Sequence, residues 1–214
     1  MQKLFTGWSK RLALVALAIM AVASLSAFTM HASASSTSAN SIQTNVQPDK
    51  SKFTFSLVPS PNITSCLPRA GGSVTIKKGS LNETMTVSVT GLAPKTGYDL
   101  FVLELPNKPF GVAWYQSDLE TDGTGAGSVT VKGIFNVETF SVSLGDNSNI
   151  TFPPTHQYHL GLWFNDPKVP FNLGCEPGQP QPVITPFNGE QHAGIQVLNT
   201  SNFPDNAGPL SHVK

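Results

Sequence analysis

The chain has 214 residues, with 13 basic and 13 acidic side chains and no net formal charge. Only 12% of its residues are charged, against about 25% in ordinary soluble domains. That excludes the clustered Lys and Arg of a nucleic-acid footprint and the composition of a charge-swollen disordered chain; the length suits one domain with tails.

Lys3, Lys10 and Arg11 precede an apolar run from Leu12 to Leu25. At about fourteen residues the run falls short of the roughly 20 that span a bilayer. Ala32-Ser33-Ala34 offers the small-x-small pattern of a cleavage site, with Ala27 as an earlier alternative. Residues 1–34 therefore read as a signal peptide, and the protein is expected to be secreted with no stable membrane insertion after cleavage. An uncleaved anchor is the other reading. Cleavage removes three basic groups and leaves ten against 13 acidic ones, a net charge of about −3.

Residues 35–52 are mostly Ser, Thr, Asn and Gln, and read as a flexible tail. From Phe53 the hydrophobic period is two. Phe53, Phe55 and Leu57 alternate with polar residues, as do Val74 and Ile76, then Met85, Val87 and Val89. Leu100 to Leu103 is apolar on both parities, as in a strand covered on both faces. Gly111 to Ser117 predicts a strand carrying Trp114 and Tyr115. Val129 and Val131 alternate until Gly133, where the parity slips and a bulge is expected. Phe140 to Leu144, Tyr158 to Phe164 and Ile195 to Val197 complete about nine strands. No window of the mature chain has a capped helical stripe. These features predict an all-β domain over residues 53–201, an antiparallel immunoglobulin-like β-sandwich, with a closed barrel as the alternative.

Residues 165–190 form a proline-rich loop holding Cys175. A loop this long is usually pinned or functional. Two cysteines in an exported chain most simply pair, so Cys66 and Cys175 are expected to form a disulfide that pins it. Residues 202–214 read as a loose polar tail. A faint echo at an offset of 60 relates Pro94, Tyr98, Leu100 and Lys108 to Pro154, Tyr158, Leu160 and Lys168, and reads as two equivalent corners of one sandwich rather than a duplication.

The run Gly91-Leu92-Ala93-Pro94-Lys95-Thr96-Gly97-Tyr98 resembles the tyrosine corner of fibronectin type III and other immunoglobulin-like domains. The resemblance covers eight residues. It implies a structural corner in which Leu92, Pro94 and Tyr98 turn the chain between sheets, the tyrosine hydroxyl bonding back to the backbone. The whole chain is also similar to uncharacterised secreted bacterial β-sandwich proteins, a likeness that implies no activity.

Few constellations suggest chemistry. Asp118, Glu120 and Asp122 precede Gly123 with the alternate spacing of a calcium loop, but position twelve is Val129 where a bidentate Glu is needed. The bland alternative is a hairpin turn, and no other cofactor is indicated. His156 and His159 lie three apart and would point to opposite faces of one strand, which suits solvated or capping histidines better than a zinc pair. No nucleophile elbow is present. Glu104, Asp118, Glu120 and Glu138 are the carboxylates from which a glycosidase pair could be drawn. Four Asn-x-Ser/Thr sequons start at Asn62, Asn82, Asn149 and Asn199.

The aromatics are the better lead. Trp114 and Tyr115 are adjacent, so one faces out if the other faces in. Trp163 has the opposite parity to Tyr158, Leu160, Leu162 and Phe164, which directs it away from the core. Such residues either stack on sugar rings or lie under loops. The reading that follows is a non-catalytic extracellular or cell-surface interaction module. Its partner would be an extracellular protein or, as the alternative, a polysaccharide. A small hydrolase is the more distant alternative.

Overall fold

The computed structural model describes residues 50–135, 137–139, 141–151, 154–187 and 192–213. The chain divides into two compact units, Met1–Asn45 and Val46–Lys214, and every described residue belongs to the second. The expected signal peptide and nearly all of the expected flexible tail lie outside the described residues.

Alternating residues build the strands as the period-two pattern predicts. The main sheet contains β1 (Lys52–Pro59), β2 (Gly71–Lys77), β3 (Glu83–Thr90), β4 (Gly97–Leu103), β5 (Ala113–Glu120) and β6 (Gly127–Gly133). Two small hairpins follow, from β7 (Val137–Glu138), β8 (Ser141–Ser143), β9 (Asn149–Thr151) and β10 (Thr155–His156). β11 (His159–Phe164) and β12 (Gln196–Asn199) return to the main sheet. The only helical pieces among the described residues are short: α1 (Ile63–Cys66), α2 (Lys168–Asn172) and a 3-10 turn at Pro209–His212.

The eight main strands run in the order β5-β4-β11-β12-β1-β2-β3-β6, with every neighbouring pair antiparallel. The all-β antiparallel class is therefore observed. The finer expectation of an immunoglobulin-like sandwich of about nine strands is not what the strand order displays. The eight strands form one sheet that nearly closes on itself like a barrel. β1 serves both halves, pairing with β2 over Lys52–Leu57 and with β12 at Val58 and Pro59. At the far ends, β5 and β6 meet through the Thr121–Gly127 bridge.

The interior is one apolar cluster drawn from both halves. Leu57, Val74, Ile76, Met85 and Val87 face Tyr98, Leu100, Leu160, Leu162 and Phe164. The outside of the two halves differs. On β1, β2, β3 and β6 it is hydroxylated and wet, with cross-strand pairs Thr54–Thr75, Thr86–Thr130 and Ser88–Ser128. On β4 and β11 even the outward residues are buried, because loops cover them.

The corner behaves as its resemblance implies. Tyr98 is fully buried and its hydroxyl accepts the Ala93 amide at 3.1 Å. Burial pushes its phenol well above the ordinary range. The corner is also tied to the β5–β6 hairpin. Thr121 Oγ1 donates to the Ala93 carbonyl at 2.6 Å and accepts the Thr96 amide at 3.0 Å. Lys95 and Leu92 donate to the carbonyls of Asp122 and Gly125. Gly125 has φ +80, and a Cβ there would overlap the Leu92 carbonyl, so only glycine lets the two turns touch.

Cys66 and Cys175 form the expected disulfide, with Cα atoms 5.1 Å apart across 109 residues. Three other expectations are corrected. The parity slip at Gly133 marks the end of β6; the register shifts of the main sheet lie at Leu100/Phe101 and Leu162/Trp163. The offset-60 echo does not record two equivalent corners, because Tyr158 stacks on His156 while Tyr98 sits in the core. The C-terminal segment is packed, with Leu210 and Val213 fully buried and the Leu210 amide donating to the Tyr158 carbonyl at 3.1 Å. The 3-10 turn puts residues three apart on one side, a spacing that composition alone hides.

Two outcomes are expected. Thr121→Val keeps the shape of the side chain but orphans the buried Thr96 amide and Ala93 carbonyl, and should cost about 2–3 kcal/mol in chemical denaturation. Reducing the disulfide should lower the melting temperature, with a loop-closure loss of about 4–5 kcal/mol as the upper scale.

Candidate functional site

Trp163 does point away from the core, as its parity predicts, but it is not exposed. Its side chain is fully buried, which corrects its reading as a binding aromatic. Loops remote in sequence cover it. Its ring meets Phe101, Phe110 and Phe187 edge-on at 5.5, 5.0 and 4.8 Å. Gly161, two residues back on the same face, makes room. A Cβ there would run into the Trp163 ring and the Gln196 amide.

Trp114 and Tyr115 are 44% and 42% exposed. Both stay open because β5 ends the strand order and has a ladder neighbour on one side only. Tyr115 packs edge-on against Phe101 at 5.7 Å and donates its hydroxyl to Asp118 at 2.7 Å. It therefore shares the outer face with Trp163, and the two meet through Phe101.

The carboxylates are not gathered into a calcium loop. Asp118 is engaged by Tyr115. Asp122 accepts the Thr124 hydroxyl and the Thr124 and Ala126 amides, and these bonds hold its carboxyl below the ordinary range. Among the described residues no group of three or more His, Cys, Asp or Glu side chains could hold a metal ion. The hairpin turn is the observed structure. Glu104 is spent on the Val112 amide, and the side chain of Glu138 lies outside the described set.

The histidines part company. His156 is exposed and stacks on Tyr158. His159 is fully buried, with Nδ1 against the Thr200 hydroxyl at 2.9 Å and Nε2 against the Asp205 carbonyl at 3.0 Å. A neutral ring fits both, donating from Nε2 and accepting at Nδ1. Burial lowers its pKa, opposed in part by the Asp205 contacts. Asn199 is buried and hydrogen-bonded, so its sequon cannot take a glycan; Asn82 and Asn149 are exposed.

Beside the aromatic cluster lies a cleft of about 650 Å³. Three stretches build its walls: the turn after β1 (Ser60, Asn62), the β4–β5 loop (Lys108, Phe110) and the proline-rich loop (Cys175, Glu176). The disulfide anchors the third to the first. Below them lies an ordered polar network. Ser60 Oγ donates to Gln196 Oε1 at 2.9 Å, and Asn199 Nδ2 reaches both Gln196 Oε1 and Ser60 Oγ. Gln196 Nε2 donates to the Pro106 carbonyl at 3.1 Å, bracing the β4–β5 loop. Glu176 Oε2 accepts the Val183 amide at 2.9 Å, closing the proline-rich loop on itself. Ser60 gives its proton to the Gln196 carboxamide oxygen, and no histidine stands among the described residues lining the cleft.

Sequence reasoning missed Ser60, Glu176 and Gln196. Each is an ordinary polar residue in its local context. The one cue was that Glu176 follows Cys175 directly.

The chain matches no known family model, and no curated protein sequence matches it. No helix among the described residues is long and apolar enough to cross a membrane.

His159 gives a pH prediction. Its folded pKa lies below the unfolded value of 6.5, so the unfolded chain binds the proton more readily. Its contribution is present above about pH 6.5 and is lost as pH falls through the folded value. Melting temperature measured from pH 7.5 down to 5 should therefore fall, and His159→Gln should flatten that slope.

Proposed function

We propose that this protein is an exported, non-catalytic binding module and that the cleft beside Phe110 is its binding site. The observation that carries the reading is the pre-ordered Ser60–Gln196–Asn199 network beneath walls of mixed polarity. Fixed polar groups among apolar walls are the common make-up of a small-ligand site, and the volume falls within the usual range of roughly 300–1,000 Å³. The exported setting is supported by the basic and apolar leader and by the disulfide, which persists where thiols are oxidised. On this reading the eight strands act as a barrel flattened into two four-stranded layers, a closed relative of the sandwich. One layer faces water, and the other supports the loops that shape the site.

A second reading rests on Trp114 and Tyr115, whose exposure on β5 offers a flat surface for polysaccharide. One assay separates them. Purified wild-type protein, Phe110→Ala and Trp114→Ala are each tested for retention on insoluble polysaccharides and on immobilised extracellular proteins from the source culture. Retention lost in Phe110→Ala and kept in Trp114→Ala is the expected result. The reverse pattern moves the binding face to β5.

A further inference from the structure

The wall of the cleft holds a buried carboxylate oxygen that the described protein leaves unanswered. Glu176 lines the wall and is only 8% exposed. Its Oε2 is occupied by the Val183 amide. Its Oε1 is shielded from solvent and meets no hydrogen-bond donor among the described residues. A buried carboxylate oxygen without a donor is costly to keep. Burial accordingly raises the carboxyl pKa, with the Val183 bond opposing it.

The rest of the lining narrows what could supply that donor. Lys108 shares the cleft, so its positive charge disfavours an ammonium group and offsets the carboxylate. Asn62, Asn107 and Gln179 bring three carboxamides, each able to donate and accept with adjacent hydroxyls. Phe110 and the neighbouring prolines provide apolar surface for C–H faces. Neutral, hydroxyl-rich and apolar-faced at once describes a sugar ring.

We propose that the cleft binds a neutral saccharide, one hydroxyl of which donates to Glu176 Oε1 after a small tilt of the carboxyl. This rests on the cleft being the binding site. The ligand hydroxyl would answer that orphaned acceptor in the wall, and the carboxamides would read its neighbours.

The test is calorimetric titration of the purified full chain. The probes are neutral gluco-, manno-, xylo- and N-acetylglucosamine-based oligosaccharides, a uronic-acid oligosaccharide and a set of proline-containing peptides. Wild type should bind at least one neutral oligosaccharide. Glu176→Gln keeps an oxygen for Val183 but turns a donor toward the ligand, and should weaken binding about tenfold or more. Its melting temperature at pH 7 should match or exceed wild type, because the raised carboxyl pKa makes ionised Glu176 a burden to the fold there. Should that variant fail to fold, Gln179→Ala at an exposed lining position should weaken the same ligand. Unchanged affinity in Glu176→Gln would overturn the role of Glu176. Binding of peptide or uronate alone, lost in Phe110→Ala, would overturn the saccharide and leave the cleft standing. Binding indifferent to Phe110→Ala, or none to any probe, would sink the cleft and the saccharide together.

Discussion

The barrel keeps its shape because two crossings of the chain are tied to each other. The corner between β3 and β4 carries the chain from one half of the sheet to the other, and the hairpin between β5 and β6 carries it back. Thr121 joins them with one hydroxyl that both donates and accepts. β5 and β6 are the two ends of the strand order and meet through the Thr121–Gly127 bridge, so the same residue also stands where the sheet comes together. The tyrosine of the corner anchors the same turn from inside, and Gly125 lets the turns come within hydrogen-bond reach.

The outer loops are unequal because the two halves of the sheet are unequal. Hydroxyl pairs on β1, β2, β3 and β6 satisfy themselves and need no cover. Phe101, Leu103 and Trp163 on the other half must be covered, and the β4–β5 and proline-rich loops cover them. A cleft forms where the covering segments meet imperfectly, over Gln196. The cleft is thus a by-product of roofing an apolar face, with the amide network as its floor.

Most of the strands were legible because alternation is a local signal. Each of the nine expected runs overlaps an observed strand, and Leu100–Leu103 is indeed buried on both faces. The pairing that closes the sheet was not legible. β1 joins β12 across about 140 residues and β4 joins β11 across about 60, and no local pattern encodes a remote partner. Trp163 shows the limit well. Parity correctly sent it outward, but its cover comes from Phe110 and Phe187, which are distant in the chain. Leu210 and Val213 were hidden by polar neighbours. The site was least legible of all, since Ser60, Glu176 and Gln196 acquire meaning only once three separate stretches converge.

The disulfide has a consequence for timing. Cys66 is made early and Cys175 late, and the wall that carries Glu176 is fastened only when the two join. β2 and β3 both precede Cys175 in the chain, so their pairing does not wait for the disulfide. Until then the outer wall of the cleft hangs on non-covalent contacts alone, while the sheet beneath it already has the sequence for its first pairs.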